Sequence, residues 1–133
     1  MAAPASAQGL WTEVLARLSL AAVACDGPEA RRQLHVLGVR RTGTAALLLA
    51  RELAMARRMA SASGCLPRPL DLHHRVGQLA RPADLDWHLQ GLAAAYQQLL
   101  QHQDTWPQGP VCRWLEARCR VHAAQAESLA PRH

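Results

Sequence analysis

A chain of 133 residues has room for one domain with one continuous core, and a second domain would be too small to stand alone. Half the residues are apolar, but they are mostly Leu and Ala with some Val, and Ile and Phe are absent, which argues against a strand-built fold. The net charge of +5 favours acidic partners in principle, no apolar run approaches the length of a membrane span, and four cysteines are too few for a disulfide scaffold in so apolar a chain, so a soluble, reduced, cytoplasmic protein is expected.

Residues 1–8 are small and polar without periodicity, and are expected to form a disordered tail ahead of a helical domain over 9–130. The first helix is predicted from near Leu10, where Leu10, Val14, Leu18, Ala21 and Cys25 recur at helical spacing, and Asp26-Gly27-Pro28 ends it. Leu18 to Cys25 also resembles the end of a bacterial lipoprotein signal. However, no basic residue precedes Arg17, Glu13 lies upstream, and only seven uncharged residues separate Arg17 from Cys25, so processing at Cys25 is the minor alternative.

A second helical region runs from Pro28 to about Ala60, with Gly38 and Gly43 predicting a kink or break between residues 38 and 43. Its stronger half, Thr44 to Ala60, carries one stripe of Leu49, Leu53, Ala56 and Ala60 and another of Ala45, Leu48, Met55 and Met59. The breaker-rich segment from Ser61 to Pro69 closes the first hairpin. Leu70 to Leu79 has the pattern of a short extra helix in the middle connection. Asp84 is a suitable N-cap for the clearest amphipathic helix, marked by Leu85, Leu89, Leu92, Tyr96 and Leu99 and ending around Gln103. After the turn from Asp104 to Pro110, the last helix puts Val111, Leu115, Cys119, His122, Ala126 and Leu129 on one face. The expectation is an all-α, up-down four-helix bundle with a kinked second helix.

All fifteen basic residues are Arg, and Lys, Asn, Ile and Phe are absent together. Codon bias in a gene of high G+C content explains this first; selection for bidentate anion binding comes second. Arg40, Arg41, Arg51, Arg57 and Arg58 are the candidates for a positive face, but aromatic residues that would stack bases are not interleaved with them, which makes nucleic acid an unlikely partner.

Several local features occur together: Asp26-Gly27 after the first apolar helix, Arg51-Glu52-Leu53 before Gly64, His74-Arg75 in the middle, and Tyr96-Gln97-Gln98-Leu99-Leu100 with Trp106-Pro107 ahead of a last helix containing His122. With the length and helix layout, they resemble a family of small bacterial ferritin-like four-helix bundles with no assigned reaction. The resemblance spans Leu10 to Leu129 and implies a fold far more than an activity.

Metal-bearing ferritin-like proteins use a Glu on each of two helices and a Glu-x-x-His pair on each of the others. This chain has no Glu-x-x-His; Glu52 is followed three residues on by Met55, and Glu116 by Cys119. One acid falls in each main helix, at Glu13, Glu52, Asp86 and Glu116. Glu52 shares the Leu48-Met55-Met59 stripe, so it is expected either to reach water at the stripe's edge, to pair with an Arg of a neighbouring helix, or to be buried with a partner. Cys112, Glu116 and Cys119, with His122 a turn further, put soft ligands on successive turns, although core packing explains the cysteines more simply.

His73-His74 diverge on a helix, and His88 and His102 lie about 21 Å apart along one. Nucleophile elbows, phosphate loops and dinucleotide fingerprints are absent. The leading expectation is therefore a non-catalytic helical bundle that associates with itself or with another protein, with Trp11, Trp87, Trp106 and Trp114 as candidate anchors. A bundle binding iron, zinc or copper through Glu52, Glu116, Cys119 and His122 is the alternative. Anion or nucleic-acid binding by the arginine face comes third.

Overall fold

The computed structural model describes residues 6–25, 28–39, 42–80, 85–102 and 109–129, and these are helical with short connections. Six helices follow in order: α1 (Ala7–Ala24), α2 (Pro28–Val36), α3 (Thr42–Ala62), α4 (Pro69–Leu79), α5 (Leu85–Leu100) and α6 (Pro110–Leu129).

α1 begins three residues earlier than its apolar stripe suggests, inside the segment expected to be a tail. The Ser6 hydroxyl accepts the Gly9 N–H at 3.0 Å, which supplies the N-cap. Of the two alternatives for the region from 28 to 60, a kink or a break, the structure has the break: α2 and α3 are separate helices. Gly38, at φ 80°, lets Val39 N–H reach back to the Leu34 carbonyl and Gly38 N–H to that of His35, a closure that stops α2. The same pair of bonds around Gly64 ends α3. The N-cap expected at Asp84, and Asp26 and Gly27 of the expected stop, lie outside the described residues.

α1 is the central element, packed against α5, α3 and α4, while α5 also carries α6. Enclosure on three sides explains why α1 is buried nearly all round from Leu10 to Leu18, including Thr12 and Arg17. Trp11, Leu15, Leu18, Ala56, Leu92, Tyr96, Leu99 and Leu115 form the main core. A second cluster around Ala21, Cys25, Leu34, Leu85 and Leu89 ties α2 to α1 and α5. The residues of the lipoprotein-like motif, Leu18 to Cys25, are thus the second half of the central helix and its cap, with Cys25 fully buried. No helix among the described residues is long and apolar enough to cross a membrane.

Arg17 lies across α5. Its Nε donates to Glu13 at 2.7 Å, one terminal nitrogen donates to the Trp87 carbonyl at 3.1 Å, and the guanidinium sits 4.5 Å from the centre of the Trp87 ring. Glu13 also accepts from Arg75 of α4, so one carboxylate joins three helices through two arginines. This arrangement requires Gly91, because a Cβ there would come within 2.0 Å of the Arg17 guanidinium carbon.

Gly to Ala inside a helix ordinarily stabilises by about 1 kcal/mol. Gly91→Ala is expected to lower the urea midpoint in the wild-type background and to raise it in an Arg17→Ala background. The coupling in that cycle should be about 1–2 kcal/mol; additive effects would show that Arg17 does not occupy the space over Gly91.

Candidate functional site

The backbones of α3 and α6 scarcely approach one another; α2 packs against both, and a group of side chains joins the two directly. The bridge is centred on Glu52 in the middle of α3, whose side chain is 8% exposed. Its Oε2 accepts from the Tyr96 hydroxyl of α5 at 2.8 Å and from His122 Nε2 of α6 at 2.7 Å, and its Oε1 accepts from Arg118 at 2.9 Å. His122 is buried, with its ring stacked on that of Tyr96 at 5.5 Å and 10°. Its Nδ1 faces the Gln125 side chain at 2.8 Å. Gln125 can meet a protonated Nδ1 with its carbonyl or a bare one with its amide NH₂. Tyr96 packs edge-on against Trp114, and Trp114 stacks on Trp11, so an aromatic column anchors the cluster to the main core.

Burial by itself would raise the Glu52 pKa. Hydrogen bonding and charge from His122, with hydrogen bonds from Arg118 and Tyr96, outweigh it and hold the carboxyl below the usual range. Burial, reinforced by the Glu52 charge, pushes the Tyr96 phenol well up. The Cys119 thiol is pushed up by burial and then by Glu116.

Beside this cluster, where α2, α3, α5 and α6 meet, lies a cavity of about 190 Å³. Its walls include Leu34, Leu37, Leu49, Leu85 and Leu89, and Glu52, Arg118, His122 and Gln125 form its polar floor. At its mouth Leu48 and Val121 are exposed, at 54% and 37%, and Met55 (36%) continues the α3 edge two turns beyond Leu48.

Of the four candidate metal ligands, the structure brings Glu52 and His122 together, hydrogen-bonded directly to each other, while Glu116 is exposed and Cys119 half-buried. Among the described residues no three His, Cys, Asp or Glu side chains converge as a ligand set. The four helix acids stand apart: Glu13 pairs with Arg17 and Arg75, and Asp86 accepts from Gln90. Glu52 does pair with an Arg of a neighbouring helix, but from a buried position and with two further donors.

The tryptophans do not form one exposed anchor patch among the described residues. Trp11 is fully buried, Trp114 packs half-buried against the core, Trp87 lies beneath Arg17, and Trp106 falls outside the described residues. Trp11 is therefore a core residue, stacked on Trp114 of α6 within the main cluster. Of the candidate arginines, Arg40 and Arg41 lie outside the described residues, and Arg51, Arg57 and Arg58 are exposed on α3. Arg57 and Arg58 border a second, apolar cavity of about 390 Å³ with Leu66, Pro67 and Leu72.

Sequence reasoning missed Tyr96, Arg118 and Gln125 as site residues. Tyr96 carried a usable signal, since a lone Tyr in an apolar stripe needs a partner for its hydroxyl. Arg118 and Gln125 lie one turn either side of His122 on a helix whose inward face was already identified. Comparison with family models, with curated proteins and with solved structures finds no match.

Because its folded pKa lies below the unfolded value, Glu52 adds stability that is present above the usual carboxylate range and is lost as pH falls through the folded pKa. Glu52→Gln should cost about 3 kcal/mol near neutrality. The variant's urea midpoint should also fall less steeply than that of the wild type between about pH 5 and 3. Parallel pH profiles would show that the carboxylate is not met as described. Tyr96→Phe should cost about 1 kcal/mol, the worth of one hydrogen bond.

Proposed function

We propose that this chain is a non-catalytic helical protein that works by association with a partner protein, and that the α3–α6 cleft is its binding surface. The observation that carries this reading is the cleft itself: an apolar-walled cavity edged by exposed Leu48 and Val121, where the backbones of α3 and α6 stand apart. Exposed apolar edges around a concavity are a feature of recognition sites.

The chemistry of the floor supports a non-catalytic role. Glu52 accepts three hydrogen bonds, and both His122 nitrogens face partners. The Tyr96 phenol and Cys119 thiol are pushed away from the pKa range in which they would serve as a base or nucleophile near neutrality. The four longest helices, α1, α3, α5 and α6, are taken as the four-helix core of a ferritin-like layout. The α1–α3, α1–α5 and α5–α6 packing supports that assignment, and the separation of α3 from α6 departs from it. The alternative of iron, zinc or copper rests on Glu52 and His122 alone.

A neutral solvatochromic dye is expected to bind the native protein at one site per chain. Leu48→Asp and Val121→Asp, at exposed positions, should abolish that binding while changing stability by no more than about 0.5 kcal/mol. A native protein with no dye site, or variants that bind as the wild type does, would place the association surface elsewhere.

A further inference from the structure

Resting on the reading of the α3–α6 cleft as a binding surface, we infer that its occupant is an acidic amphipathic helix of another protein, laid lengthwise between α3 and α6. Leu48 and Met55 stand seven residues apart on α3, a separation of about 10.5 Å along the axis. That is the i to i+7 spacing at which a docked helix presents successive anchors. The cavity beside Leu48 is about 190 Å³. A dry protein cavity of roughly 150 Å³ takes a benzene ring, so the space admits one bulky apolar side chain.

Charge identifies the rest of the partner. The exposed charged side chains of α3 are Arg51, Arg57 and Arg58, and its acid, Glu52, is buried against His122 and Arg118. Arg51 and Arg58 follow Leu48 and Met55 by three residues each, which places them in the next row outward along the apolar edge. On α6 the row beside Val121 holds Ala117, Ala124 and Ser128, small and uncharged. Further round α6, exposed Arg113 and Arg120 are balanced in number by exposed Glu116 and Glu127, whereas the arginines of α3 have no exposed acid beside them, so the partner's acids belong on the side that overlies α3.

A second copy of this chain does not fit as well. Glu13 and Glu52 are engaged in internal ion pairs, and a symmetric contact through α3 would set arginine against arginine. A nucleic acid would use the arginines but leave the apolar edges without stacking partners, since no aromatic residue lies on α3.

The test uses synthetic peptides of about 16 residues, long enough to span both anchors, with fluorescence anisotropy on the full chain as the readout. One peptide carries Leu at i, i+3 and i+7 with Glu along one flank. A second replaces each Glu by Lys, a third scrambles the first, and a duplex oligonucleotide serves as competitor. The acidic amphipathic peptide is expected to bind at least about tenfold more tightly than its Lys counterpart, and the scrambled peptide and the oligonucleotide are expected not to compete. Arg51→Ser with Arg58→Ser should weaken binding about tenfold, and more at low salt than at high; Leu48→Asp should remove it.

Equal binding of the acidic and basic peptides, binding of the scrambled peptide, or displacement by the oligonucleotide would overturn the inference. So would a dimer in sedimentation that Leu48→Asp dissociates. If the neutral dye enters the cleft and no peptide binds, the acidic helix is wrong and the cleft stands; if neither binds, both readings fall.

Discussion

A carboxylate withdrawn from water costs several kcal/mol unless its oxygens are met by donors, and the position of Glu52 imposes that requirement on three helices at once. Tyr96 meets it from α5, and Arg118 and His122 meet it from α6. The backbones of α3 and α6 scarcely meet, and these side chains span the gap between the two helices. A Leu-against-Leu seam would draw the helices together and fill the space. Buried ion pairs replaced by apolar residues of similar volume often gain stability. The polar bridge instead lies at the floor of the cavity, beside space that an apolar seam would fill.

The bridge is held to the rest of the molecule by rings. His122 stacks on Tyr96, Tyr96 meets Trp114 edge-on, and Trp114 stacks on Trp11 at the heart of α1. The floor of the cleft is thus continuous with the main core, and its geometry is tied to the packing of the central helix. On the other side of α1, Glu13 does a comparable job with Arg17 and Arg75, joining α1 to α4 while Arg17 reaches over Gly91 to α5. Both internal carboxylates are met by more than one donor, and each fixes how a helix sits against neighbours distant in sequence.

Most of the helical layout was legible because it rests on local rules. Apolar stripes located α1, α3, α5 and α6, and Gly38 and Gly64 marked stops through a backbone conformation that glycine adopts without strain. Ser6 was overlooked because a cap shows only when the helix behind it is already placed. The breadth of burial on α1 was not visible, since a stripe indicates one buried face whereas three helices surround this one. His122 lies on an inward stripe, whereas the stripe that Glu52 shares is exposed at Leu48 and Met55, so the burial of Glu52 was not legible from it. The two stand 70 positions apart in the chain, and Tyr96 stands 44 from Glu52. No local pattern encodes such pairings, and for the same reason the dependence of Arg17 on Gly91 could not be anticipated.

The way charge is distributed follows from these internal pairings and bears on recognition. Glu13 is met by two arginines, and Glu52 by Arg118 and His122, so two of the chain's ten acids are turned inward. Those pairs take Arg17, Arg75 and Arg118 with them, and the remaining excess of arginine is uneven: on α3 it stands as Arg51, Arg57 and Arg58 with no exposed acid to balance it. Exposed charges contribute little to holding a fold together, but they steer encounter and penalise partners of the same sign. Apolar edges beside such a row supply contact area without discrimination, and the row supplies discrimination without much area. The proposed partner, apolar along one stripe and acidic along the next, rests on their adjacency along about three turns of α3.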